Sequence, residues 1–382
     1  MNHTFRPTAR GTLAAAALLL VCAAAHAQSS VTIYGAIDVY AAQQSGSGVS
    51  SRKVLGSGLN PNALGFMGRE DLGGGLSAGF VLEGQPALDT GAMGQGGKMF
   101  GRQSNVYLDG GFGRVTLGRV HLPGRAFGIK YNSSGWLSSD PQGQMAVATG
   151  STLGPLMNSD TVGSRVSNAV MYTAPRLGGF TFSAVQSAGE GGPFSTGQVK
   201  MTQFGVGFTE GAFTTDLVYS KVPELAGNQL SQTDYSIGAQ YKLGSSVTLI
   251  ASHFSHQGSS VAAPGATTAI AGSKGTDRTY LVGAKFNTGP HTFGATYGRL
   301  KAADVHRGRR PANMSAPFVA PLDDVTGWAL GYSYALSKRT QLFAAYGSMD
   351  NDTLGQVSLT ADLRPVAGGK STLAASGVRH SF

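Results

Sequence analysis

The residues of this sequence that could do chemistry are its histidines, a few hydroxyls and its charges. His253 and His256 lie in ASHFSHQ beside Ser252 and Ser255, residue types that a nucleophilic relay uses. No acidic residue is close in sequence to orient either imidazole, so the pair reads as polar residues at a strand end rather than a hydrolytic site. Gly369-Lys370-Ser371 ends like a phosphate-binding loop, but the earlier glycine of that motif falls at Arg364 and the stretch enters a strand. HExxH and paired cysteines are missing, and neither a metal nor a cofactor is expected. What remains is charge. Arg165 and Glu83 alternate with apolar neighbours and so share a face with polar residues. Arg102, Arg119, Arg125, Lys130, Asp140 and Asp160 lie near or within one long stretch, residues 120–164. Opposed charges on the walls of a water-filled passage orient solutes and sort ions by sign.

The elements that must hold these charges are short alternating strands. In VTIYGAIDVY, Val31, Ile33, Ile37 and Val39 share one face, while Thr32, Tyr34, Asp38 and Tyr40 share the other. The pattern recurs along the chain. Leu64–Leu72 and Leu76–Gly84 flank Gly73-Gly74-Gly75, Gln103–Leu108 and Arg114–Arg119 flank Gly110–Gly113, and Arg165–Thr173 pairs with Phe180–Gln186. Further hairpins turn at Glu210-Gly211, Gly244-Ser245, Thr288–Pro290 and Ser337-Lys338, and Ser371–Phe382 ends the chain. This segmentation gives sixteen strands joined alternately by short turns and long loops, among them residues 43–62, 256–275 and 300–323. Short turns on one side, long loops on the other and an even strand count point to an all-β fold, a transmembrane antiparallel barrel. The stretch 120–164 is too long and too irregular for a strand. It reads as the third outer loop, folded into the lumen to narrow it.

Two parity problems follow. Arg119 falls in step with Val115 and Leu117, which would aim it at lipid at a cost of about 2–4 kcal/mol. A bulge at Gly118 would reset that parity. Arg102 conflicts likewise with Val106. Arg69 points inward with Met67.

Composition agrees with a barrel. Charged residues are only 13%, Gly numbers 57, and the mean hydropathy is near zero. No apolar run after Ala27 reaches the eighteen or so residues of a membrane helix. Residues 1–27 read as a cleaved signal peptide, with a basic start at Arg6 and Arg10, an apolar core Leu13–Ala25 and the small-x-small end Ala25-His26-Ala27. The mature unit is then a single domain, residues 28–382, which loses the sole cysteine, Cys22. The 29 Lys and Arg exceed the 20 Asp and Glu by nine, or by seven without the leader. Export and the lack of a basic helix with interleaved aromatics exclude nucleic acid as the partner. The basic run His306, Arg307, Arg309 and Arg310 reads as a solvated outer loop, with lipopolysaccharide phosphate as the alternative partner.

SSVTIYGAIDVY, LGFMGREDLGGGLSAGFVLEGQ, RQSNVYLDGGFGRVTLGR and the terminal GVRHSF occur in that order over nearly the whole mature chain. Together they resemble the trimeric general porins of beta-proteobacterial outer membranes. The resemblance implies a sixteen-stranded barrel, a homotrimer and passive diffusion of small hydrophilic solutes. It also implies that Arg165, Arg119 and Arg102 are wall arginines and Glu83 a pore acid, and that the strand ending in Phe382 is read by the barrel assembly machinery. Ala63 stands where many of these porins carry an arginine, and Met67 where a basic residue is frequent, so only a modest anion preference is expected. The alternatives are a barrel enzyme of lipase or protease type and a plugged structural or adhesive barrel.

Overall fold

The computed structural model describes residues 30–46, 49–136, 140–151, 164–188, 200–223, 231–261, 274–311, 320–360 and 363–382. The expected leader, residues 1–27, lies outside them. The strands are β1 (Ser30–Gly46), β2 (Val49–Gly56), β3 (Ala63–Gly73), β4 (Leu76–Gly84), β5 (Gln103–Gly110), β6 (Gly113–His121), β7 (Arg165–Thr173), β8 (Phe180–Ser187), β9 (Met201–Glu210) and β10 (Phe213–Val222). They continue with β11 (Gln232–Leu243), β12 (Val247–Gly258), β13 (Ser260–Val261), β14 (Gly275–Thr288), β15 (His291–Lys301), β16 (Arg310–Pro311), β17 (Val325–Ala335), β18 (Thr340–Asn351) and β19 (Lys370–Ser381).

Each long strand pairs antiparallel with its sequence neighbour, and the sheet closes where β1 meets β19, from Ala36↔Ser381 to Gly46↔Ser371. β2 and β3 both pair with the other edge of β1, β2 along its outer half and β3 along its inner half. Counted as one broken stave, they give sixteen staves among the described residues. β13 and β16 form a separate two-stranded ribbon.

The broken stave departs from the loop expected over residues 43–62. β1 runs on to Gly46, β2 returns along it, and among the described residues of the stretch only 57–62 leave the sheet. Asp38 accounts for the break. Its carboxylate accepts from the backbone N–H of Gly58, of Leu59 at 2.9 Å and of Asn60 at 3.2 Å, while its own N–H donates to Asn62 Oδ1 at 2.7 Å. Three backbone donors freed by the break are thus met by one side chain. The expected loops over residues 256–275 and 300–323 also begin later than the residue types suggested: β12 includes His256 and β15 reaches Lys301.

Alternation sorts the two faces. Val31, Ile33, Val106, Leu117, Ile237 and Val282 are exposed on the outside. The stretch 120–164 begins inside β6, whose last residues are Val120 and His121, and then forms two short helices, α1 (Pro123–Lys130) and α2 (Pro141–Thr149). These pack against β9 and β10, and against β14, β15, β17 and β18. Glycines make room for them. Added Cβ atoms would meet Pro123 at Gly205, the Tyr131 ring at Gly238, Ser133 at Gly283, Ser134 at Gly294 and Gly331, and Pro141 at Gly327. Gly205, Gly238, Gly283, Gly294 and Gly331 follow or precede the outward Val206, Ile237, Val282, Phe293 and Leu330, so the helical segment lies against the inner face.

Gly118 has φ +125°, and the β6–β7 register shifts between Gly118 and Val120. This bulge is the device that turns Arg119 off the face of Leu117. A Cβ at Gly118 would also press on the Ser104 carbonyl. Gly118→Ala is expected to lower stability by about 1–3 kcal/mol through strain, read from the urea midpoint of the refolded barrel. Gly111→Ala, in open space, is expected to leave the midpoint in place.

Candidate functional site

Four arginines gather on the inner wall where β4 to β7 meet α1. Arg102, just before β5, places Nε 2.5 Å from Glu83 Oε1. The other Glu83 oxygen accepts from the Tyr34 hydroxyl at 2.9 Å. Arg119, re-aimed by the bulge, donates through Nε to the Gly101 carbonyl at 2.6 Å and through Nη1 to Ser167 Oγ at 2.9 Å. Arg165 stands at the register position opposite His121, with Nη1 3.0 Å from Ser164 Oγ and 3.4 Å from Gln95 Oε1. Arg125 comes from α1. The field at Arg165 is set by Arg125, Arg102 and Arg119, with Glu83 opposing them. All four guanidiniums are largely buried. Burial and the adjacent Arg102 push Arg125 down to about 10, so it is still a cation at neutral pH. Among the described residues one carboxylate, Glu83, therefore stands among four like charges. Such a cluster persists because carbonyls, hydroxyls and water solvate the guanidiniums, and it attracts an anion more strongly than it would in bulk water.

Other residues singled out in the sequence stand elsewhere. Arg69 pairs in register with Ser30 and Gly79, and the charge it acts on is Asp109, beside the tight Gly110–Gly113 turn. Lys130 is bound to Asp216, with Nζ to Oδ2 at 2.5 Å, and the Tyr131 hydroxyl donates to the same oxygen at 2.5 Å. Asp140 does not face Arg125. It caps α2, accepting from Gln142 N at 2.8 Å and from Ser134 Oγ at 2.5 Å, and is fully buried. The expected opposition of Arg125 and Lys130 to Asp140 is thus replaced by separate contacts, and Asp160 lies outside the described residues. Phe382 ends the closing strand; its backbone N–H and C=O pair with Gly35, each at 3.0 Å.

Several members of the site were not singled out from sequence. Arg379 of β19 is within reach of Asp38 Oδ2 at 3.4 Å and acts electrostatically with Arg102. Its place between outward Val378 and His380 was a usable signal. Asp38 and Tyr34 share the inward face already read for β1, and His121 lies among the arginines. Asp216 had no local signal, because its partners come from a segment more than eighty residues earlier. His256 does have an acid: Asp234 Oδ1 lies 2.6 Å from Nδ1, supplied by the neighbouring strand.

Comparison with known proteins agrees with this geometry. The profile of a Gram-negative porin family matches residues 14–354. Outer membrane porin protein 32 of Delftia acidovorans is 31% identical over 97% of this chain and 99% of its own. An outer membrane porin protein of Bordetella pertussis is 30% identical over the same shares. Among solved structures, an anion-selective porin from Comamonas acidovorans superposes with a TM-score of 0.72 at 24% identity, covering 93% of this chain and all of that one. The trimer form of OmpT, an outer membrane protein of Vibrio cholerae, gives 0.61 at 12% identity over 93% of this chain and 99% of that one.

Asp140 gives the segment a pH dependence. Burial pushes its carboxyl up to about 6, against its bonds to Ser134, Gln142 and Thr296 and the pull of Lys285. The unfolded chain loses this proton first, near pH 4, so the group's stabilising contribution is complete below about pH 4 and falls as the pH rises to about 6. The gap in thermal midpoint between wild type and Asp140→Asn is expected to shift against the wild type across that window and to be constant above it. A constant gap throughout would contradict the assignment.

Proposed function

This chain belongs to the Gram-negative porin family, and on that premise we propose that the wall formed by Arg165, Arg119, Arg102 and Arg125, with Glu83 as the opposing acid among the described residues, makes its channel modestly anion-selective. It is an outer-membrane barrel for passive passage of small hydrophilic solutes. The segment of α1 and α2 is the inward element that narrows the passage, and α1 adds Arg125 to the arginines of β5 to β7. The observation that carries this reading is the excess of four guanidiniums over one carboxylate in this cluster of described residues. Asp216, Asp140 and Asp38 are each engaged in separate contacts. Arg69 takes no part in the constriction, and with Ala63 and Met67 on the inward face of β3 the basic ladder is short, which limits the preference.

The chain works as a homotrimer, in keeping with the trimer form of a structural relative. Its reading as a channel rather than an enzyme rests on its porin family. The strand ending in Phe382 is the part read by the assembly machinery. Lipopolysaccharide surrounds the outer rim, but Arg307 is a poor phosphate ligand, being held by Asp304, Asp323 and Asp324.

Planar-bilayer recordings test the reading. Conductance steps in threes are expected, with a reversal potential of anion sign in a salt gradient. Arg165→Ala is expected to reduce the anion-to-cation permeability ratio about two- to threefold, the effect of one unit charge at roughly 14 Å in water, which favours the anion and disfavours the cation equally. A cation-selective wild type, or a closed bilayer with hydrolytic activity, would sink the proposal.

A further inference from the structure

At the outer rim, away from the arginines, two acids and two histidines are buried together. Asp234 on β11, His256 on β12 and Asp277 on β14 are successive register partners across three strands. His306 joins them from the short helical turn Asp304–His306 that follows β15. None of the four is more than 4% exposed. We propose that Asp234, His256, Asp277 and His306 form a proton-operated clasp, which fastens the outer segment 302–311 to the rim while the imidazoles are protonated and releases it when they are not.

The geometry of His306 is the main warrant. Its Nδ1 lies 2.9 Å from both oxygens of Asp277, and its Nε2 lies 3.2 Å from the Gly258 carbonyl. Both ring nitrogens therefore face atoms that can only accept. A neutral imidazole has one N–H and sets its other lone pair against an oxygen, so only the imidazolium satisfies both contacts. One protonated ring thus ties the end of β12, strand β14 and the turn after β15 to one another. Asp277 Oδ1 adds a bond from Ala303 N at 2.8 Å, on the same outer segment.

His256 repeats the arrangement one strand over. Its Nδ1 lies 2.6 Å from Asp234 Oδ1, and the charges that act on it are Asp234 and Asp277. With both rings protonated, two cations balance two anions in a sealed space. Loss of both protons leaves two buried carboxylates facing each other across β12, which low local polarity makes costly.

The other charges nearby have their own engagements. Asp304 is exposed and pairs with Arg307, which also meets Asp323 and Asp324. Arg309 donates to the Val305 carbonyl at 3.0 Å. Lys221 of β10 donates to Thr233 Oγ1 at 3.0 Å. Arg278 and Lys301 alternate away from the inner face, and Lys274 is exposed at the start of β14.

The clasp reaches the passage through one further contact. Residues 310–311 pair with residues 260–261 and also pack against α2. Release of the outer segment therefore loosens the support of the inward helix.

Limited trypsin digestion of the full-length trimer in liposomes tests this, read as the rate of cleavage after Arg307 and Arg309. An unstructured peptide of the same sequence corrects for the protease's own pH dependence. From about pH 6.5 to about pH 9 the corrected wild-type rate is expected to rise about tenfold, the effect of losing one charge-assisted bond. His306→Gln, which cannot donate from both ends, is expected to be cut fast at both values with no pH dependence. A wild-type rate constant to within about twofold would overturn the proposal, and so would a slow, pH-dependent His306→Gln. Should that variant fail to fold, the wild-type profile alone decides.

Discussion

A chain that crosses a bilayer with strands must pair every backbone donor and acceptor within the sheet, because hydrocarbon supplies no substitute and each unmet group costs several kcal/mol. β1 bears most of that requirement. One edge meets β19 along eleven register pairs, and the other must satisfy both halves of a broken stave. The break at residues 57–62 is tolerated because Asp38, on the water side, replaces the missing strand partner for three successive N–H groups. The same gap facing lipid would have had no comparable acceptor. Where strands break in this barrel therefore depends on which face can supply a carboxylate.

The interior is governed by the opposite pressure, since a wide closed sheet leaves a space that side chains alone do not fill. The inner wall meets the α1–α2 segment with glycines on one side and with charge on the other. Opposite α1, Gly205 and Gly238 let the segment lie against the wall at main-chain distance, and Lys130 and Tyr131 secure it to Asp216. On the other flank, Arg125 joins guanidiniums that repel one another. Glycine contact holds the segment to one wall, while on its other flank α1 brings Arg125 into the buried guanidinium cluster. The high glycine content, which first suggests only turns, thus has a second use along the strands.

Much of this was legible in the sequence, for physical reasons that differ by element. Strand alternation is a local property, so the sixteen staves, the inward sense of Arg165 and Glu83, and the need for a bulge at Gly118 could all be read from neighbours. The resemblance to porins was carried by four ordered motifs. The course of residues 43–62 was hidden, because Ser and Gly composition suggests a loop, whereas the pairing of β2 depends on the edge of β1. Lys130 and Asp140 looked like constriction charges because their partners, Asp216 and the Ser134–Gln142 cap, are fixed by how the segment lies on the wall. Asp234 was invisible beside His256 for the same reason: strand register brings together residues that sequence distance keeps apart.

The seam between β1 and β19 has a kinetic consequence. The contact between Asp38 and Arg379 joins residues 341 positions apart, and bringing such distant ends together costs roughly 5 kcal/mol of chain entropy. No shorter-range pairing can stand in for it, because the first strand has no other partner on that edge. The staves between can therefore assemble as hairpins in any order, each stabilising the next, but the ring stays open until the last dozen residues arrive. A chain interrupted a few residues early would be nearly complete in mass and still present two raw sheet edges, the surfaces most prone to join with another molecule.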